Sequence, residues 1–129
     1  DGLHARNDYL QQHGIPQSLN DLSAHSVIGY DQESAFIRSL AVKGFERSAF
    51  SLSSDSDLAQ LALIRAGAGI GGCQVKLARQ DARLSRVLPD AFALQLDTWV
   101  TMHEDLRNSP RCRVTFDALV AGLQHYVQD

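Results

Sequence analysis

Residues 53–74 read SSDSDLAQLALIRAGAGIGGCQ, and their order decides the fold. Ser53-Ser54-Asp55-Ser56-Asp57 is a dense set of helix caps, because short polar side chains satisfy the first unpaired backbone N–H groups of a helix. Leu58, Leu61, Ala62 and Arg65 then fall at i, i+3, i+4 and i+7. Leu63 and Ile64 widen that face, so the spacing predicts a helix over 58–67 buried on most sides. Gly67 supplies a left-handed stop. Gly69–Gln74 follows as a short strand.

Working outward, the same alternation continues. Asp8–His13 reads as the end of a short helix closed by Gly14 and Pro16. Ser18 is placed as the N-cap of the next helix, with Asp21 in its first turn and an end near His25. Ser26–Tyr30 reads as a buried strand. Glu33–Lys43 reads as a helix with Phe36, Ile37 and Leu40 on one face, and Ser48–Ser53 as a strand. Downstream, Val75–Gln80 is a helical turn or two, Ser85–Leu88 a strand ended by Pro89, and Phe92–His103 a longer strand. Ser109 and Pro110 open a last helix, whose stripe is Cys112, Phe116, Leu119, Val120, Leu123 and Val127. Burying its large side chains is worth roughly 1.5–3 kcal/mol each, so this stripe is expected to dock on something, in this chain or another. Strands alternating with helices mean an α/β layer fold, with function outside the carboxyl ends of the strands.

Composition excludes several classes. The chain has 129 residues, 44% hydrophobic, with a net charge of −3. That apolar content disfavours disorder, and no apolar run approaches the roughly 20 residues of a membrane span. No cleavable signal pattern is present. Ten Arg and two Lys are spread without a basic stripe, so this chain alone is not expected to grip nucleic acid. Cys73 and Cys112 fit no disulfide framework and read as two buried thiols, which makes the cytoplasm the default location.

Each chemical motif has a plainer reading. Gly67-Ala68-Gly69-Ile70-Gly71-Gly72 matches G-x-G-x-x-G, with Asp90 downstream, but the dinucleotide fingerprint must follow a strand and open a helix. Here the order is reversed, which points to a helix stop and close backbone packing. His4, His13, His25, His103 and His125 have no metal-ligand spacing and most of them read as surface or loop-end residues, so no metal is expected. Cys73 with His103 could form a nucleophile–base pair, but no orienting group or oxyanion motif accompanies them. No G-x-S-x-G elbow exists. Catalytic residues and cofactors are therefore expected to be none, and the chain is not read as an enzyme. Ser53–Ser56 remains as a helix cap that could also contact a small anion, provided Asp55 points away.

The order of motifs resembles the effector-binding domain of LysR-type transcriptional regulators. NDYLQQHGIPQSLNDLSAHSVIGYD (7–31) is similar to the family segment in which Tyr-Leu and Gly-x-Pro precede a short helix and a strand. SDSDLAQLALIRAGAGIGGCQVKLA (54–78) resembles its helix, Gly-rich stop and strand. RVLPD (86–90) and LDTWVTMHEDLRNSPRCRVTFDALVAGL (96–123) resemble its closing strand and terminal helix, carried by Trp99, His103, Leu106-Arg107 and Ser109-Pro110-Arg111.

The resemblance implies a type II periplasmic-binding-protein-like α/β fold and only its distal part. Residues 4–90 would be the second half-domain and 91–104 the return crossover strand. Residues 105–129 would be the helix that packs on a first half absent here. It also implies a small-molecule effector, often a carboxylate, bound in a cleft between halves, and a homo-oligomer in the cytoplasm with no membrane partner. DNA contact would run only through a missing N-terminal domain. By position, Tyr30, Asp31, Ser53, Ser54, Asp55, Ser56, Gly72, Cys73 and Gln74 would face the effector. One departure stands out: many members carry Pro soon after the Gly-rich strand start, where this chain has Gly72-Cys73-Gln74-Val75. A free-standing solute-binding protein or a self-association module of the same fold remains the alternative.

Overall fold

The computed structural model describes residues 1–35, 38 and 44–128, in two compact units, Asp1–Gln95 and Leu96–Asp129. Unit 1 is built on a five-stranded sheet. Its strands are β1 (Gly2–Arg6), β2 (Val27–Gly29), β3 (Leu52–Ser53), β4 (Ile70–Cys73) and β5 (Leu84–Val87), in spatial order β3-β2-β4-β1-β5. β2 runs parallel to β3 and β4, with Ile28 opposite Leu52 and Gly71, and β1 runs antiparallel to β4 and β5. Among the described residues this unit carries the α-helices α1 (Asn7–His13), α2 (Asp57–Arg65) and α3 (Val75–Arg79).

Helix α2 forms where the caps predict it. Ser56 is the N-cap and its hydroxyl accepts the Ala59 N–H at 3.3 Å. Gly67, with φ of 76°, makes the left-handed exit. The helix is buried on one side rather than on most: Gln60, Leu61 and Ile64 are buried, while Leu58 is 80% exposed. The strand after it carries glycine because the approach is close. A β-carbon at Gly71 would meet the Ile64 side chain at 2.9 Å, and one at Gly69 would collide with the Ser26 carbonyl. The glycine run is therefore a packing device, as its helix-to-strand order requires.

The sheet is covered on both faces, which is why Val27, Ile28 and Gly29 are all buried. One core joins Leu3, Ala5, Leu10, Val27, Ile70 and Val87, with Phe45 set edge-on to Phe92 at 5.1 Å. Tyr9 anchors α1 to the chain entering β2: its hydroxyl accepts the Ser26 N–H and bonds His25 Nδ1, both at 3.0 Å.

Several elements differ from the sequence reading. The segment capped by Ser18 and Asp21 is a 3₁₀ helix, Leu19–Ala24, closed by a capping box. Ser48–Ser53 is not one strand: Arg47–Ala49 forms a 3₁₀ turn and only Leu52–Ser53 pairs, because the parallel register with β2 ends there. No ladder forms over Phe92–His103, since a strand needs a neighbour to take its N–H and C=O groups. In unit 1 Leu94 and Asp1 exchange backbone hydrogen bonds. His4 is a core residue, 2% exposed, and both cysteines are half-buried and free rather than buried. The helix expected over Glu33–Lys43 falls largely outside the described residues.

Unit 2 holds a 3₁₀ turn, Glu104–Leu106, and α4 (Pro110–Gln128). No residue of α4 is buried: Cys112, Phe116, Val120 and Leu123 are half-buried, and Leu119 and Val127 exposed. Among the described residues no helix is long and apolar enough to cross a membrane.

Two stability predictions follow from this packing. Gly69→Ala should cost about 1–3 kcal/mol through its backbone collision, whereas Gly72→Ala, whose β-carbon meets nothing within 4 Å, should stay within about 0.5 kcal/mol. Urea denaturation of both variants checks this, and equal midpoints would contradict it. Burial holds the His4 imidazole below its ordinary pKa of 6.5. The unfolded chain then binds the proton first, so stability is lost as pH falls below 6.5 toward the lowered folded value. His4→Gln should flatten that part of the pH–stability profile. Asp81, held low first by the hydrogen bond from Arg83, acts only below the ordinary carboxylate range.

Candidate functional site

The carboxyl ends of β2 and β4 open into a pocket of about 200 Å³ in unit 1. Gln60 shapes one wall. It is 3% exposed, and its side-chain N–H groups donate to the Gly29 carbonyl at 3.2 Å and the Ser54 carbonyl at 2.7 Å. One amide thereby joins α2 to the ends of β2 and β3. Gly29 has no side chain because the Phe50 ring occupies the space a β-carbon would need. Phe50, Leu58 and Leu77 line the pocket together with Phe92 and Leu94 from the segment after β5. The wall is largely apolar.

Four of the nine expected contact residues line this pocket: Tyr30, Gly72, Cys73 and Gln74. The Tyr30 hydroxyl donates to Asp57 Oδ1 at 3.3 Å. Burial, then the Asp57 charge and hydrogen bond, push its pKa up, so the hydroxyl keeps its proton. Cys73 Sγ lies 3.3 Å from His4 Nδ1, which is also 2.9 Å from the Gly2 carbonyl. That carbonyl requires a donor, so Nδ1 carries the proton and Sγ accepts. Burial raises the Cys73 thiol and lowers the His4 imidazole. Both are held neutral, the reverse of an activated thiolate–imidazolium pair. His4, not His103, is thus the partner of Cys73.

Asp31, Ser53, Ser54, Asp55 and Ser56 lie outside the lining, at the end of β3 and in the turns that support it. Asp55 Oδ1 accepts the N–H groups of Asp31 and Gln32, both at 2.9 Å. Asp31 pairs with Arg47 at 2.6 Å. The Ser54 N–H donates to the Gly29 carbonyl, and the Ser56 N–H to Ser54 Oγ at 3.2 Å. Ser53 Oγ is shielded from solvent and has no hydrogen-bond partner among the described residues. Asp31, Ser54, Asp55 and Ser56 spend their polar groups on holding the strand ends together.

Sequence reasoning passed over Gln60, Asp57 and the aromatic wall. Gln60 did carry a signal: it is a polar residue immediately before Leu61 on the face that Ile64 continues. Phe50 and Phe92 carried none, because long-range chain paths bring them to the same cavity. Among the described residues no cluster of three or more His, Cys, Asp or Glu could hold a metal ion.

Comparison with known proteins places this architecture. The regulatory domain of CrgA, a LysR-type transcriptional regulator from Neisseria meningitidis, matches with a TM-score of 0.71 at 24% identity, over 95% of this chain and 63% of that one. A structure of CrgA itself matches with a TM-score of 0.67 at 21% identity, over 95% of this chain and 44% of that one. At these identities the likeness is one of fold, periplasmic-binding-protein type II-like, and the chain spans less than two thirds of either structure. No curated protein matches the chain. A family model described as the LysR substrate binding domain matches residues 2–124, and the chain belongs to that family.

Proposed function

We propose that this chain is the effector-sensing part of a LysR-type transcriptional regulator, with a small-molecule effector bound at the carboxyl ends of β2 and β4. The observation that carries this reading is the pocket itself. It is apolar, about 200 Å³, and set where parallel strands end, with Tyr30, Cys73 and Gln74 on its wall. Neutral, protonated Tyr30 and Cys73 suit binding rather than covalent chemistry.

In this reading residues 4–90 form the second half-domain and 91–104 the return crossover. Residues 105–129 form the helix that packs on a first half. The half-exposed stripe of α4 supports a docking partner for that helix. The protein works in the cytoplasm as a homo-oligomer, and DNA is contacted through a separate N-terminal domain. Effector binding favours one closure of the two halves and so shifts the oligomer on DNA. Only differential affinity moves such an equilibrium: passing from 1:99 to 99:1 takes about 10⁴-fold.

Leu58 is an exposed residue on the pocket wall, so Leu58→Trp should fill the cavity without disturbing the core. A compound that stabilises the full-length protein in a thermal-shift screen should lose at least about tenfold in affinity, about 1.4 kcal/mol, in this variant. Unchanged affinity would place the effector elsewhere.

A further inference from the structure

The pocket is lopsided in charge as well as apolar. It takes an acidic side chain, Asp57, from the first position of α2. Among the described residues no Lys, Arg or His side chain lines it. Two guanidinium groups of this unit are engaged by other acids, Arg65 by Asp81 at 3.3 Å and Arg47 by Asp31 at 2.6 Å. The N–H groups of Ala59 and Gln60 in the first turn of α2 are taken by Ser56. An anionic ligand would therefore meet like charge at Asp57, and among the described residues no cationic side chain of the lining offsets it.

We infer that the pocket takes a small amine with an apolar body, its ammonium seated on the Asp57 carboxylate beside the Tyr30 hydroxyl, and disfavours a carboxylate of the same shape. This rests on the pocket being the effector site. An ammonium has three donors and no acceptor, and a carboxylate has room for several donors, so Asp57 can hold the ligand while keeping Tyr30. The body of the ligand would lie against Phe50, Leu58 and Leu77. A pocket of about 200 Å³ is smaller than the roughly 300–1,000 Å³ that holds drug-sized molecules, which suits one ring and a short chain. Asp57 is exposed, so the charge preference is moderate and screened by salt.

Calorimetric titration of the full-length protein with 2-phenylethylamine, 2-phenylethanol and 3-phenylpropionate tests this. The amine should bind about tenfold more tightly than the carboxylate, with the alcohol between them. Asp57→Asn should erase the order, and added salt should compress it. Tyr30→Phe removes one donor from Asp57 and should keep the order, which controls for a folding defect in Asp57→Asn. Equal or tighter binding of the carboxylate, lost in Leu58→Trp, would overturn the ligand class and leave the pocket as the effector site. Binding that survives Leu58→Trp, or no binding of any of the three, would overturn both.

Discussion

The closure of α2 on the sheet is the constraint on which the rest of unit 1 depends. Ile64, fully buried, sits over Gly71, and Gln60, one turn earlier, ties the same helix to the ends of β2 and β3 through two carbonyls. Each bond is worth about 0.5–1.5 kcal/mol net, and the Gly29 carbonyl also accepts the Ser54 N–H, so the helix and the two strand ends share one set of hydrogen bonds. Moving the helix outward would lose both and open a void beside Ile28. The strand ends are therefore held at a set spacing, and the pocket is the space that spacing leaves.

Polar groups divide between support and lining. Asp31, Ser54, Asp55 and Ser56 are consumed by backbone N–H groups, one another and Arg47. The lining keeps few polar atoms, and burial holds the Tyr30 hydroxyl and the Cys73 thiol in their protonated forms. An apolar wall with uncharged hydroxyl and thiol groups and one carboxylate discriminates by shape and hydrogen-bond polarity. It offers no nucleophile ready at neutral pH, and the imidazole beside the thiol is occupied by the Gly2 carbonyl.

The α/β class, helix α2, its stop at Gly67 and the short strands β2, β4 and β5 were legible in the sequence. So was the dismissal of G-x-G-x-x-G as a nucleotide loop. These depend on local signals: a cap, a helical period, a glycine exit, a short apolar run. The family order of motifs was legible for the same reason, since it is a sequence of such signals at set spacing. Among the expected contact residues, those placed by a strand end, Tyr30 and Gly72 to Gln74, line the pocket. Those placed by a capping motif, Ser53 to Ser56, lie outside its lining, where Ser56 caps α2 and Asp55 holds the turn after β2.

Tertiary structure decided what depends on partners distant in the chain. Phe92–His103 alternates like a strand, yet pairing needs a neighbour, and among the described residues no ladder forms there beyond the backbone exchange of Leu94 with Asp1. Nothing local marks His4 as a core residue, yet β1 lies between β4 and β5 and the ring is buried beside Cys73, 69 residues away. Asp57 and Tyr30 meet across 27 residues, and Phe50 fills the space over Gly29. Local propensity and period set the elements because they act over a few residues. The pocket and its charge were set by strand order, which brings together side chains that no window of sequence contains.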